Sequence, residues 1–71
     1  MNFGQALEML KLDCRVARSG WNGKNMFLKL QNSDSESMMT LPYIWMFTAD
    51  KNRVPWLASQ TDILANDWMT V

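Results

Sequence analysis

The residues best suited to binding a ligand lie in one short segment, Arg18-Ser19-Gly20-Trp21-Asn22-Gly23-Lys24. The indole of Trp21 offers a flat face on which a nucleotide base can stack. Asn22 carries a side-chain donor and acceptor, and Gly23 lets backbone N–H groups approach a phosphate. Arg18 and Lys24 can neutralise that phosphate. The segment therefore suits a nucleotide-like ligand, although an Asn-Gly turn with a tryptophan packed on a sheet would use the same residues.

A second candidate segment runs from residue 54 to residue 62 and places Trp56 beside the start of a predicted helix. The free N–H groups of a helix N-terminus favour anions, and Ser59, Gln60 and Asp62 add polar side chains there. Trp56 would form the second apolar wall of the same site. Alternatively, Ser59 and Asp62 only cap the helix.

Several kinds of chemistry are excluded by residue types that are rare or missing. The chain has no histidine and only one cysteine, Cys14, so neither a zinc site of the usual ligands nor a histidine-activated nucleophile can form. A single cysteine also forms no disulfide within the chain, which favours a reducing cytosol. The carboxylates of Asp50, Asp62 and Asp67 show no spacing typical of a catalytic pair. We therefore predict a protein without catalytic residues, metal or cofactor.

Length and composition indicate one small domain over residues 1–71. Seven basic and seven acidic residues give zero net charge, which disfavours binding to nucleic acid or to a membrane surface. The longest apolar run, residues 43–47, is far shorter than the roughly 20 residues that span a bilayer, and the N-terminus does not resemble a signal peptide. Four tryptophans exceed what so small a core can bury fully. Some of them should face a ligand or another subunit, unless they only fill the core.

The first half of the chain is predicted to form a helix followed by a hairpin. Apolar residues spaced as on one helix face predict a helix that begins after Asn2, is closed by Gln5 in a capping box, and ends near Leu12-Asp13. Alternating residues predict strands over 14–18 and 26–30, with Asn22-Gly23 supplying turn residues of positive φ.

The second half continues with a polar loop over 31–42, a strand over 43–48 and a turn over 49–53. An extended segment over 54–56 leads to a helix over 60–66 with Ile63 and Leu64 pointing inward, and residues 67–71 form a last strand. The predicted fold is α+β, a small antiparallel sheet with two short helices in the order α-β-β-β-α-β.

Three segments together resemble a known family: Met1-Asn2-Phe3-Gly4-Gln5-Ala6-Leu7-Glu8, Val16-Ala17-Arg18-Ser19-Gly20-Trp21-Asn22-Gly23-Lys24, and Val54-Pro55-Trp56-Leu57-Ala58-Ser59-Gln60-Thr61-Asp62 through Asp67-Trp68. The family was long catalogued as a phage and prophage domain of unknown function. Its characterised members are Thoeris anti-defence proteins of the second type. The resemblance covers nearly the whole chain, and the Pro-Trp-Leu-Ala-Ser-Gln-Thr-Asp string is its most specific part.

The resemblance implies a sponge, a protein that binds an immune signal without cleaving it. The signal would be a cyclic ADP-ribose of the glycocyclic type made by a TIR-domain protein, and some members also bind cyclic oligonucleotides. The resemblance further implies a homotetramer with ligand pockets between subunits, acting in the cytoplasm of the infected bacterial host. The alternative function is inhibition of Cas9, because one relative was described as such an inhibitor.

The chain departs from the family pattern at two turns. Leu12-Asp13-Cys14 stands where relatives usually have a Gly-Lys type turn, and Lys51 follows Asp50 where glycine is commoner.

Overall fold

The structure, a computed structural model, describes residues 1–33 and 38–71. Within them, two helices and five strands follow one another in the order α1-β1-β2-β3-β4-α2-β5. Their bounds are Phe3–Lys11 for α1, Val16–Arg18 for β1, Phe27–Gln31 for β2, Tyr43–Phe47 for β3, Arg53–Pro55 for β4, Gln60–Leu64 for α2 and Trp68–Thr70 for β5. The predicted α+β fold with an antiparallel sheet and two short helices is confirmed.

All neighbouring strands are antiparallel, and their order across the sheet is β4-β3-β2-β1-β5. The predicted order lacked one strand, because the segment over 54–56 was predicted as extended and not counted as a strand of the sheet. Pro55 lies opposite Trp45 in the edge strand β4. A proline fits there because an edge strand has one side without ladder hydrogen bonds.

Helix α1 begins with the predicted capping box. The Asn2 side chain accepts a hydrogen bond from the Gln5 backbone N–H at 2.8 Å, and the Gln5 side chain accepts one from the Asn2 N–H at 2.9 Å. Both bonds satisfy N–H groups that a helix start leaves without partners. Local sequence alone thus determines where the helix begins.

The end of α1 places Asp13 in the left-handed region, at a φ of 67°. The Cys14 N–H donates to the Met9 carbonyl and the Asp13 N–H to the Leu10 carbonyl, both at 3.0 Å. This pair of bonds is a Schellman ending, in which glycine is usually the left-handed residue. Lys51 has a φ of 68° in the turn between β3 and β4, so both departures from the family pattern include a left-handed residue.

One face of the sheet packs against α1 and forms the core. Its buried residues come from the helix and from three strands: Ala6, Leu10, Val16, Leu28 and Trp68. Phe3 and Leu7 are partly buried against this cluster, which confirms the predicted inward face of α1. Of the four tryptophans, only Trp68 is fully buried, at 2% exposure. The other three remain partly exposed, as the size of the chain predicted.

No described element packs against the opposite face of the sheet, which we call the open face. Phe27, Trp45 and Phe47 form an aromatic row on it, with the Phe27 ring 5.1 Å from that of Phe47 and 5.8 Å from that of Trp45. The guanidinium of Arg15 lies over Phe27, and that of Arg53 lies over Trp45. Strand alternation therefore produces one apolar core face and one aromatic face flanked by arginines.

The hairpin of β1 and β2 is confirmed, with Val16 opposite Leu28, but its predicted turn residues are wrong. No described glycine has a positive φ, and the left-handed residue of the connecting loop is Asn25, at 61°. Residues 19–26 instead form a wide loop. Hydrogen bonds from Gly20 to Asp67 and from Trp21 to Asp62 hold this loop beside α2 and the start of β5.

Helix α2 is shorter than predicted and buries no side chain. Ile63 and Leu64 were expected to point inward, yet they are 43% and 76% exposed. The helix instead turns Asp62 toward the protein, where its carboxylate has hydrogen-bond donors. Polar contacts therefore decide its orientation.

Part of the predicted 31–42 loop, residues 34–37, lies outside the described residues. Strand β2 extends into the predicted loop as far as Gln31. Within the described residues, neither helix has the length and hydrophobicity needed to span a bilayer.

Replacing Asp13 by glycine should stabilise the protein by about 0.5–1 kcal/mol, because glycine adopts a left-handed φ without the Cβ clash. The gain is reduced by the loss of the exposed ion pair between Asp13 and Lys29, 3.3 Å long. Urea unfolding measures the change. Asp13→Ala is the control, because it removes the same ion pair and keeps the strained φ. Equal stability of the glycine and alanine variants would contradict the prediction.

Candidate ligand-binding site

A cavity of about 550 Å³ opens where β1 and β5 meet the 19–26 loop and the open face. Its volume lies within the range of small-molecule sites, about 300–1,000 Å³. Its lining combines aromatic, aliphatic, methionine and small polar residues with two arginines: Arg15, Ala17, Arg18, Ser19, Trp21, Gly23, Asn25, Met26, Phe27, Phe47, Met69 and Val71. No aspartate or glutamate side chain of the described residues belongs to this lining.

Beside the cavity, Arg18 forms ion pairs with two carboxylates. Its Nη1 atom lies 2.8 Å from Asp62 Oδ1, and its Nε atom lies 2.7 Å from Asp67 Oδ1. Asp62 Oδ1 also accepts a hydrogen bond from the Trp21 indole N–H at 3.1 Å. Asp67 Oδ2 accepts one from the Gly20 backbone N–H at 2.8 Å. We call these five residues the Arg18 cluster.

The hydrogen bonds of the cluster shift the pKa values of its three charged side chains in the directions that favour the ionised forms. Hydrogen bonds to Asp67 and Asp62 raise the pKa of Arg18. Burial by itself raises the pKa of Asp62, but hydrogen bonds from Arg18 and Trp21 outweigh it and hold this pKa below its usual range. The hydrogen bond from Arg18 lowers the pKa of Asp67 as well. One guanidinium is thus balanced by two carboxylates inside the chain.

Aromatic contacts join the two candidate segments around Trp68. Trp21 meets the Trp68 ring at 5.4 Å and Trp56 meets it at 6.0 Å, both nearly edge-on. Phe3 of α1 packs beside Trp56 and Trp68. The Trp68 indole N–H donates to the Asp62 carbonyl at 2.9 Å, which ties the aromatic group to α2.

The predicted site residues fall into two groups. Arg18, Trp21 and Gly23 line the cavity, and a side chain at position 23 would collide with Met26 and come within 3.0 Å of the Ala49 Cβ atom. The remaining predicted residues do not line it: Asn22, Lys24, Trp56, Ser59, Gln60 and Asp62.

These six residues lie on the 19–26 loop, at helix α2 and directly after β4. Asn22 and Lys24 are exposed on the loop, and Gln60 is exposed at the start of α2. The Ser59 hydroxyl caps that helix by accepting a hydrogen bond from the Asp62 N–H at 3.1 Å. Asp62 reaches Trp21 by its hydrogen bond, whereas Trp56 is separated from Trp21 by the Trp68 ring.

Nine of the twelve lining residues were not among the predicted site residues, including the large side chains of Arg15, Phe27 and Phe47. The alternation of the strands places Arg15 and Phe27 on the faces opposite to Val16 and Leu28. The alternation along the strands could have identified Arg15 and Phe27, but both residues lie outside the two candidate segments. Among the described residues, no three side chains of the types that ligate metals converge on one point.

A smaller cavity of about 170 Å³ lies at the other end of the open face. Arg53 and Trp45 contribute to its lining, with the guanidinium carbon 5.1 Å from the ring centroid. This pair resembles Arg15 over Phe27, where the corresponding distance is 4.7 Å.

The Arg18 cluster predicts a loss of stability in acid. The folded state lowers the pKa of Asp62 and Asp67, so the unfolded chain binds more protons as the pH falls. The stabilisation is complete above about pH 5 and is lost as the pH falls through the folded-state pKa values. Asp62→Asn should cost about 1–3 kcal/mol at pH 7 and should flatten this dependence.

Urea unfolding of the parent and Asp62→Asn between pH 7 and pH 3 tests the prediction. Glu8→Gln is the control, because Glu8 forms only an exposed pair with Lys11. Parallel pH profiles for the parent and Asp62→Asn would show that the cluster does not control acid stability.

Comparison with known proteins agrees with the sequence resemblance. The family model described as the Thoeris anti-defense 2-like domain matches residues 1–71. The chain is also 46% identical over 81 aligned residues to a protein of Bacillus phage SP01 named Thoeris anti-defense 2, and the alignment covers 96% of this chain and 91% of that relative. The expected family is therefore confirmed, and the chain belongs to the Thoeris anti-defense 2-like family.

Proposed function

We propose that this protein is a sponge that binds a cyclic ADP-ribose-type signal and holds it without cleaving it. Membership in an anti-defence family, shared with a phage relative, supports a role against bacterial immunity. Sequestration would act in the cytoplasm of the infected host, where the signal is made. The Cas9 alternative is not favoured by the family match.

The observation that carries the proposal is the cavity beside Trp21. A nucleotide needs an aromatic face for its base and positive groups for its phosphates, and the lining offers Trp21, Phe27 and arginines together. In the proposed site, Gly23 shapes the wall at the loop, because its missing side chain makes room for Met26 in the lining. Asn22 and Lys24 reach it from the exposed part of the loop, and Arg18 borders it.

The other predicted contacts come from the segment before and within α2. Asp62 contributes by holding the indole of Trp21, while Ser59 and Gln60 offer polar groups at the helix start. Trp56 is the second apolar surface of the proposal. Because Trp68 separates Trp56 from Trp21, Trp56 would meet ligand in a pocket completed by a neighbouring subunit.

Binding without turnover is consistent with the residue types of the chain. The sequence lacks histidine and contains one cysteine, so it cannot supply a histidine-activated nucleophile. The carboxylates of Asp62 and Asp67 are hydrogen-bonded to Arg18 with lowered pKa values, which makes them poor general acids at neutral pH.

Trp21→Ala should weaken binding of cyclic ADP-ribose isomers by about tenfold to a hundredfold, because it removes a stacking face worth about 1–3 kcal/mol. Titration calorimetry measures the affinity, and mass analysis of heat-released ligand shows whether it is intact. Trp45→Ala is the control, because Trp45 lies in the smaller cavity.

Recovery of a cleaved ligand would show an enzyme and would refute the sponge. If Trp21→Ala bound as tightly as the parent, Trp21 would be a packing residue only. Circular dichroism of both alanine variants identifies any loss of fold.

We also propose a homo-oligomer, a tetramer. Apolar side chains on and before α2 stay outside the core, with Leu57 92%, Leu64 76% and Ile63 43% exposed. Exposed apolar side chains mark an interaction surface where they form one contiguous patch.

Light scattering at micromolar concentration should give four times the chain mass of 8.3 kDa. Leu64→Asp should shift the protein toward smaller species, because a charge would be buried in the contact. Asp50→Asn, a change at an exposed residue in the turn between β3 and β4, serves as the control. A monomeric parent would refute the tetramer.

A further inference from the structure

We infer that Arg15 is the group that binds the phosphates of a nucleotide in the larger cavity. The inference rests on the proposed function, because it names the contact through which that ligand would be held. Arg15 lies outside both segments that the sequence singled out.

The backbone and the side chain of Arg15 are both held in place. Its carbonyl accepts a hydrogen bond from the Val71 N–H at 3.0 Å, which continues the pairing of β1 with β5. Its guanidinium carbon lies 4.7 Å from the centre of the Phe27 ring. Contact with an aromatic face orients a guanidinium without using its N–H donors. The side chain is therefore presented to the cavity at a reduced cost in conformational freedom.

The charge of Arg15 is not balanced by any described residue. No ion pair or side-chain hydrogen bond joins its guanidinium to the described part of the chain. Arg18 also lines the cavity, but Asp62 and Asp67 accept hydrogen bonds from three of its five N–H groups. A phosphate entering the cavity would thus meet more free donors on Arg15 than on Arg18, whose charge already faces two carboxylates. Charge complementarity selects Arg15.

The surroundings of Arg15 suit the rest of a nucleotide. The Phe27 and Phe47 rings stack with centroids 5.1 Å apart and an interplanar angle of 18°, which places two apolar rings next to the guanidinium. Trp21 belongs to the same lining and offers a separate ring. Arginine, with several N–H donors in a planar fork, matches the oxygens of a phosphate or diphosphate better than a point charge does.

The variant Arg15→Gln tests the assignment, and Arg53→Gln is its matched control. Arg53 also lies over an aromatic ring on the open face but lines the other cavity. Titration calorimetry with cyclic ADP-ribose at several salt concentrations should give an affinity about tenfold to a hundredfold lower for Arg15→Gln. The salt dependence should be weaker in this variant, because an ionic contact is lost. Arg53→Gln should match the parent in both respects.

Inorganic pyrophosphate is the second probe and separates the two hypotheses. If the parent binds pyrophosphate through Arg15 but does not bind cyclic ADP-ribose, the Arg15 assignment holds and the proposed signal is wrong. If the parent binds cyclic ADP-ribose and Arg15→Gln binds it equally well, the assignment is wrong and the sponge stands. If the parent binds neither probe, both are wrong.

Two further results would overturn the assignment. A lower affinity of Arg15→Gln with the parent's salt dependence would indicate a structural role. A changed mass of Arg15→Gln in light scattering would place Arg15 in a contact between subunits. Unchanged mass and circular dichroism, together with the weaker salt dependence, would support phosphate binding.

Discussion

The paired charges of Arg18, Asp62 and Asp67 hold the parts of the candidate site together. Arg18 belongs to β1, Asp62 to α2, and Asp67 precedes β5, so one guanidinium joins β1 to two segments that lie 44 and 49 residues away. Helix α2 buries no side chain of its own. A small domain buries a limited fraction of its surface. Charge-assisted hydrogen bonds therefore attach α2 to the sheet, whereas a larger protein would attach such a helix by apolar packing.

The same cluster positions the loop that bounds the cavity. Asp62 holds the Trp21 indole, and Asp67 holds the backbone of Gly20, so the loop that bounds the cavity has a defined path. As a consequence, the positive charge of Arg18 already faces the carboxylates of Asp62 and Asp67. In the proposed site, an anion would therefore need another cation, and Arg15 lies on the opposite face of the sheet, outside the cluster.

The alternation of residues along the strands gives the sheet two different surfaces. Residues of one parity pack under α1 with Leu10 and form the apolar core, while those of the other parity form the aromatic row on the open face. Neither surface requires a special backbone geometry. A chain of this size can thus present an apolar core face and an aromatic open face from one five-stranded sheet.

The sequence by itself determined the features that depend on neighbouring residues. The capping box of Asn2 and Gln5, the hairpin, the order of most elements and the family all followed from local pattern. Tertiary structure decided the wide loop with Asn25 as its left-handed residue, the inward turn of Asp62, and the Arg18 cluster. The physical reason is distance along the chain: a cap joins residues three apart, whereas Arg18 finds its partners 44 and 49 residues away. Such partners exist only once the sheet has formed, so no local pattern could show that the charge of Arg18 is already matched.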